Sequence, residues 1–357
     1  MPMEDIMTEF LRENEDLSSA LDNLISYYRT EGRERLKRFR AMIDQSKQLV
    51  FSGMGTSEFT PKLIEHRLAD IGIMSKCADA GELLHYEDFL KIENRLCIFT
   101  SQSGETVEIK KLIETLPSEK SFIAITNCES STLAKHACLT LPLCAGEEQS
   151  ITTKTFTNNL ALLHIIAELV INPDNFDATL DDIAKVSETL QSVNWEDIHN
   201  ATLNLLPADA IIFIARGPAI VNAKQCALTY MEGARCNASA FTGGAFNHGP
   251  FESVDESSRL VVFAPSGHTY QLIDNLLHRL ALLKAKTVVI TDRNISSNIY
   301  PNSFQILKVH VNNNRYSEYL FPIASARTHN LLLHGVAECR GVQAGTFRYG
   351  RKVTTDE

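Results

Sequence analysis

No apolar run in this sequence of 357 residues approaches the ~20 that a membrane-crossing helix needs. Its first residues, MPMEDIMTEFLRENEDL, carry acids where a secretory leader needs a basic stretch, which speaks against a signal peptide. Positive charge is in short supply: 34 Lys and Arg stand against 44 Asp and Glu, for a formal net charge of -10. That balance argues against nucleic acid or an anionic membrane as the main partner, while leaving room for a small anion bound locally. The eight cysteines (Cys77, Cys97, Cys128, Cys138, Cys144, Cys226, Cys236, Cys339) form no C-x-x-C pair, and no histidines cluster at zinc spacing. Reduced core thiols are expected, with no metal and no cofactor. Gly-Lys-Ser/Thr is missing too, and "SGMGTSE" (52–58) has Glu58 where G-x-G-x-x-G needs its third glycine, so neither nucleotide fingerprint holds. A soluble, cytoplasmic chain is the expectation.

What is present is alternation. With 44% hydrophobic residues the chain can bury large cores, and its length suits roughly two to three domains of about 150 residues. Residues 4–29 place Ile6, Phe10, Leu17, Leu21, Leu24, Ile25 and Tyr28 at helical intervals, and a second amphipathic helix is predicted from Arg33 to Ile43. Short apolar runs then predict strands at 48–53, 73–79, 95–101, 121–127 and 138–143, and again at 209–217, 234–241, 259–265, 286–292 and 304–311. Buried strands interleaved with helices predict βαβ units and parallel sheets. Landmarks recur: Phe51 maps on Phe213, Ser103-Gly104-Glu105-Thr106 on Ser266-Gly267-His268-Thr269, and Thr126 on Thr291, at offsets of 162, 163 and 165. So steady an offset marks an internal repeat. Two similar α/β domains are predicted, joined near 171–184, where INPDNFDATLDD supplies breakers. Further helices are expected at 154–170, 178–206 and 322–338.

The polar burst TSQSGET (100–106) follows a strand and opens a helix. Four hydroxyls, an amide and a glycine are more donors than a turn requires. Ligands of open parallel sheets sit at the carboxyl ends of strands. Backbone N–H groups at the helix start, with the hydroxyls of Ser101, Ser103 and Thr106, suit a phosphate. The plainer alternative makes Ser103 an N-cap and Glu105 a first-turn acid. "AGEEQSITTKTFT" (145–157) is a second dense set of hydroxyls near a helix start, with Lys154 among them; alone it reads equally well as a capping loop.

"GTS" (55–57), "SQSGET" (101–106) and "TTKTFT" (152–157) together resemble the sugar-isomerase (SIS) domain, and two tandem copies resemble the isomerase half of glucosamine-6-phosphate synthase. The resemblance runs from about residue 30 to the C-terminus. It implies two tandem SIS domains, each a doubly wound five-stranded parallel sheet in three α/β/α layers: a helical lead-in (1–30), a phosphosugar-binding domain (31–175), a second domain (195–340) and a closing tail (341–357). Carried over by motif, Ser101, Gln102, Ser103 and Thr106 hold the phosphate, and Thr56, Ser57, Ser150 and Thr152 line the sugar. The matching turn of the second half, "APSGHT", lacks the preceding Ser-Gln, and no second phosphate site is expected there.

Chemistry needs titratable groups, and "LTYMEGARCNASAFTGGAFNHGP" (228–250) holds Glu232 in a helix and His248 in a glycine-rich loop, sixteen residues apart. A carboxylate and an imidazole can move a proton between C1 and C2 and open a sugar ring. From the residues alone, a solvated helix acid and a loop histidine fit as well. The resemblance implies the catalytic roles, proton transfer for Glu232 and ring opening for His248 reaching in from a neighbouring subunit, and hence a homodimer or larger assembly with shared sites.

Departures narrow the resemblance. The chain starts MPMEDI, without the cysteine-led glutaminase half, so glutamine is not expected as ammonia donor. Thr229 stands where the synthase has a lysine three residues before the glutamate. In the tail, "GTFRYGRKVTTDE" (345–357), Arg351 and Lys352 compete for the position of the synthase's closing lysine; an arginine stabilises an oxyanion but does not serve as a Schiff-base amine. The stand-alone deglycases of this family, whose tails end near R-Y-x-x-K-V-T, fit better. The expected activity is therefore a 6-phosphofructosamine deglycase that releases glucose 6-phosphate and an amine. The alternatives are a glucosamine-6-phosphate deaminase/isomerase and, from another class, a non-catalytic phosphosugar sensor. No basic helix-turn-helix precedes Phe51, which weighs against the sensor.

Overall fold

The computed structural model describes residues 7–46, 48–86, 95–116, 121–207, 209–295, 300–312 and 316–354. Ile6 of the predicted lead-in helix and the last three residues of the predicted tail lie outside them. The chain divides into two compact units. The first comprises Ser19–Glu147, Lys154–Ala184 and Tyr349–Glu357; the second comprises Met1–Ser18, Glu148–Thr153 and Lys185–Arg348.

Each unit is built on a five-stranded parallel sheet, with helices packed against it. In the first the strands are β1 (Gln48–Gly53), β2 (Met74–Asp79), β3 (Arg95–Thr100), β4 (Phe122–Thr126) and β5 (Leu139–Pro142), in the order β2-β1-β3-β4-β5. In the second they are β6 (Ala210–Ala215), β7 (Asn237–Thr242), β8 (Arg259–Phe263), β9 (Lys286–Thr291) and β10 (Phe304–Lys308), in the order β10-β9-β8-β6-β7. Read from the other edge this is β7-β6-β8-β9-β10, the same winding. The repeat seen in the sequence is therefore a repeat of topology. Phe51 and Phe213 sit on the two corresponding strands, β1 and β6, and both are fully buried.

The inner strands form where the apolar runs lie, because a parallel strand covered on both faces must be apolar along its whole length; the edge strands β2 and β7 are only partly buried. β4 is buried at every position and β3 at every position after Arg95. Val50, Cys97, Phe99, Ala124, Ile109 and Leu112 pack one face of the first sheet. Ile214, Leu260, Val262, Ile273, Leu277 and Val289 do the same in the second.

Several helices differ from expectation at their ends. The lead-in is two helices, Glu9–Glu15 and Leu17–Arg29, interrupted at Asp16; Thr8 caps the first by accepting from the Leu11 N–H. Across the predicted joint at 171–184 the breakers interrupt regular helix only at the start. Pro173–Asn175 forms a 3₁₀ turn, and Phe176–Thr189 is a regular helix, since Asp177 in its first turn favours a helix rather than breaking it. The helix expected over 178–206 is divided by Asn194, which caps Trp195–Leu205 by accepting from the N–H groups of Glu196 and Asp197. Of the cysteines expected in cores, Cys97, Cys226 and Cys236 are buried, whereas Cys138 and Cys339 are exposed; all eight are free thiols.

Candidate active site

In the first sheet the chain steps outward from β1 to β2, then returns to β3 on the other side of β1 and continues to β5. The winding reverses between β1 and β3, and in a doubly wound sheet the crevice at such a reversal, beyond the carboxyl ends of the strands, is where ligands bind. The loops that leave β1 and β3 there are 54–57 and 101–106. Gly53 at the end of β1 permits their close approach: a Cβ at that position would stand 2.5 Å from Ser57 Cβ and 2.7 Å from the carbonyl oxygen of Thr100. Thr56 and Ser57 thus begin a short helix beside the SQSGET loop.

The SQSGET loop is held from several directions within its own unit. The Ser101 N–H donates to the Ile125 carbonyl (3.1 Å), and the Asn127 N–H and Thr126 hydroxyl donate to the Gln102 carbonyl (3.1 and 3.2 Å). The Leu133 N–H donates to the Gly104 carbonyl at 3.1 Å. Inside the loop, Ser101 Oγ accepts from the Gly104 N–H (3.1 Å) and lies 2.8 Å from Thr106 Oγ1, while Ser103 Oγ accepts from the Glu105 N–H (3.1 Å). Gly104 turns with φ +66°. All four predicted phosphate residues, Ser101, Gln102, Ser103 and Thr106, therefore share one compact turn ahead of the helix Val107–Thr115.

The plainer alternative for this loop does not match the geometry. The helix starts at Val107 with Thr106 in the cap position, so Ser103 is not its cap. Glu105 is not a first-turn acid of that helix; its carboxylate accepts from the N–H (2.7 Å) and hydroxyl (3.0 Å) of Thr132, at the start of the helix Thr132–His136. Those donors, the backbone one foremost, with Lys110 at 3.4 Å, hold the Glu105 carboxyl below the usual range.

Two further segments meet this loop system. The Asn127 side chain donates to the Gly146 carbonyl (2.7 Å) and accepts from the Ala145 N–H (2.9 Å), which ties the β4 and β5 loops together. The Val107 N–H, one of the donors a helix start leaves without an internal partner, donates to the Thr354 carbonyl at 3.3 Å. Within the first unit the tail therefore touches the first turn of the helix behind SQSGET. Arg351 is exposed and Lys352 half-buried in that tail.

The remaining predicted residues lie in the second unit. Ser150 and Thr152 stand on the segment Glu148–Thr153. Buried Glu13 accepts there from the N–H groups of Gln149 (2.5 Å) and Ser150 (3.0 Å), from the Ser150 hydroxyl and from the Thr153 hydroxyl (3.2 Å). The Ser150 hydroxyl thus serves the fold, and Thr152 is the more open of the two. Gln225, on the helix Ile220–Gly233, donates to the Thr152 carbonyl at 3.2 Å. Glu232 follows Gln225 by seven residues, two turns along the same helix face. Next to it, a Cβ on Gly233 would lie 2.6 Å from Ile151 Cδ1. The structure thereby brings the end of the helix that carries Glu232 against the 150–152 segment. Buried Thr229 donates back to the Gln225 carbonyl at 2.9 Å. His248 stands apart, exposed in the turn after Gly243–Phe246, its N–H donating to the Ala245 carbonyl.

Sequence reasoning missed Glu13, Gln225, Asn127 and Thr132, which shape these loops. Each acts on a partner many positions away, so no local pattern marks it. Among the described residues, no group of three or more His, Cys, Asp or Glu side chains is placed to hold a metal ion, and no helix is long and apolar enough to cross a membrane.

Comparison with known proteins separates the same two sheets. The SIS domain model matches residues 42–169 and 204–336. The glutamine–fructose-6-phosphate aminotransferase [isomerizing] of Zymomonas mobilis is 25% identical over 348 residues, 94% of this chain and 56% of the relative. The chain spans about half the length of the curated relatives it matches. The C-terminal domain of glucosamine-fructose-6-phosphate aminotransferase from Francisella tularensis superposes with a TM-score of 0.85 at 20% identity, covering 96% of this chain and 99% of that one. The tagatose-6-phosphate ketose/aldose isomerase of Escherichia coli gives a TM-score of 0.79 at 18% identity, covering 96% of both chains.

Proposed function

Because the chain belongs to the SIS-domain family, we propose that it is a phosphosugar-processing enzyme, and within that class a 6-phosphofructosamine deglycase. The observation that carries the reading is the SQSGET turn at the winding reversal of the first sheet, where Ser101, Ser103 and Thr106 bring hydroxyls and a helix start to one point. Such a turn can trade its internal hydrogen bonds for a phosphate, whose charge the helix start favours. Gln102 adds an amide to the same turn. Thr56, Ser57 and Thr152 would meet the sugar, and Ser150 would do so only through its backbone.

In this mechanism His248 of a neighbouring subunit in a homodimer opens the ring, which its exposure here allows. Glu232 removes a proton from C1 and returns it to C2, converting the 1-amino-ketose into an aldose imine. Water adds to C1, the C1–N bond breaks, and glucose 6-phosphate and the free amine leave. Arg351 and Lys352 would bring positive charge over the sugar, supported by the contact of the tail with Val107.

The second reading is a glucosamine-6-phosphate deaminase/isomerase, favoured by the Zymomonas relative, a glutamine–fructose-6-phosphate aminotransferase [isomerizing]. The two separate in one assay: the full chain is incubated with several 6-phosphofructosamines, with glucosamine 6-phosphate, and with fructose 6-phosphate plus ammonia, and products are followed by phosphorus NMR. Glucose 6-phosphate from a fructosamine supports the deglycase; turnover of glucosamine 6-phosphate alone supports the deaminase. Binding without turnover of any of them leaves only the sensor. Glu232→Gln should lower turnover by about 10²–10⁴-fold with phosphosugar binding retained.

A further inference from the structure

The second sheet reverses its winding between β6 and β8, as the first does between β1 and β3. The loops that leave these strands match those of the first unit. Gly217 follows β6 as Gly55 follows β1, with φ +56° and +53°, and Gly267 takes the place of Gly104, again at positive φ. Both loops of the second unit run into long helices, Ile220–Gly233 after one 3₁₀ turn and Tyr270–Leu282. By backbone alone, the second unit has the same strand-end crevice.

Its contents differ. Glu318, on the helix Ser317–Ala324, is 7% exposed and places its carboxylate at both loops. A Cβ on Gly267 would stand 2.6 Å from its Oε2, and one on Gly217 would stand 3.0 Å from its Oε1. Oε2 lies 3.4 Å from the His268 N–H and 3.2 Å from His268 Nδ1. A second acid takes the serine donors: Asp292 Oδ1 accepts from the Ser266 N–H (2.7 Å) and hydroxyl (2.9 Å). Asp292 follows β9 as Asn127 follows β4, so an amide that ties loops in one half is replaced by an anion in the other.

We propose that Glu318 is a built-in occupant of the second crevice: with Asp292 it holds, within the chain, the place a phosphate would take, and so closes this half to phosphorylated sugars. Two glycines leave room for the carboxylate, and two helix starts favour its charge. A phosphate entering there would meet two carboxylates at contact distance and be repelled. The comparison with the first unit rests on the phosphate reading of SQSGET; the occupancy of the second crevice by Glu318 does not.

The test is the difference in binding of inorganic phosphate between the parent chain and Glu318→Ala, and between the parent and the double variant Asp292→Asn/Glu318→Ala. Isothermal titration should show one additional phosphate per chain in the variants, and phosphate should raise their melting temperatures more than the parent's. Parent and variants share the SQSGET loop, so a parent that binds no phosphate undermines the proposed function while the difference still tests the second crevice. Should Glu318→Ala not fold, Glu318→Ser is titrated in its place. Folded variants, with parental circular dichroism, that bind no more phosphate than the parent would overturn the proposal.

Discussion

Glu105 and Thr132 are joined twice, the carboxylate accepting from the backbone N–H at 2.7 Å and from the hydroxyl at 3.0 Å. The acid inside the conspicuous SQSGET signature therefore does not open the helix it precedes; it fastens the loop to the start of another helix, with Lys110 of the first at 3.4 Å.

Glu105→Gln tests that anchor. The carboxyl is held below its ordinary range, so its contribution to stability is present above the pKa it has when unfolded and is lost as the pH falls through the lower, folded value. Thermal denaturation of the parent between about pH 3 and pH 6 should therefore show an acid-side loss that is weaker in Glu105→Gln. The variant should also bind inorganic phosphate less tightly at neutral pH, because the turn is no longer fixed at Thr132. Parallel pH curves with unchanged binding would remove Glu105 as an anchor.

Gly104→Ala acts on the same turn through sterics. The residue has φ +66°, and a Cβ would stand 2.1 Å from Ser131 Oγ, whose hydroxyl caps the neighbouring helix. The left-handed backbone alone costs about 1–2 kcal/mol for a residue with a side chain, and the Ser131 overlap adds to it. Urea denaturation should show a loss of about 2 kcal/mol or more, and phosphate titration a weaker complex.

Glu13→Ala removes the acceptor shared by Gln149, Ser150 and Thr153. Buried donors left without a partner cost about 1–3 kcal/mol each, so chemical denaturation should report roughly 3 kcal/mol or more, with Glu13→Gln intermediate. If the 150–152 segment serves the sugar end of the site, Glu13→Gln should lower kcat while inorganic phosphate binding stays at the parental level. Loss of both together would assign Glu13 to overall stability only.

His164 in the first unit and His329 in the second are fully buried, and burial depresses each from 6.5 to about 3; Arg67 adds to the effect at His164, while Asn330 partly offsets it at His329. Both stay neutral in the fold while the unfolded chain takes up protons near pH 6.5. The stability they permit is present above pH 6.5 and declines as the pH falls from there toward about 3, each site contributing up to ~1.4 kcal/mol per pH unit. Denaturant titrations across this window should show the slope, and His164→Gln should reduce it by about one proton. A slope that stays the same in the variant would mean that His164 does not titrate on unfolding.

Much of this architecture was legible in the sequence. All ten predicted strands form; inner strands such as β3 and β4 leave the clearest local trace, because a strand buried on both faces must be apolar throughout, whereas the edge strands β2 and β7 are only partly buried. The repeat was legible for the same reason: Phe51 and Phe213 fill equivalent core positions. The break between the helices at Asn194 carried a readable capping residue, passed over in favour of one long period. Ser150 shows the opposite case. Its hydroxyl was expected at the sugar and instead donates to Glu13, 137 residues earlier in the chain.

The sequence by itself determined the two parallel α/β units and the donor-rich turn at 101–106, which rest on periodicity and local donor density that neighbouring residues specify together, whereas Glu232 and His248 stood out only through the resemblance to the SIS family. Only the tertiary structure decided which acids do structural work: Glu105 at Thr132, Glu13 beneath the 148–153 segment, and Glu318 in the crevice of the second sheet. The physical reason is that a carboxylate's role is set by the donors around it. In each case the chain brings those donors from another element, 27 to 137 residues away.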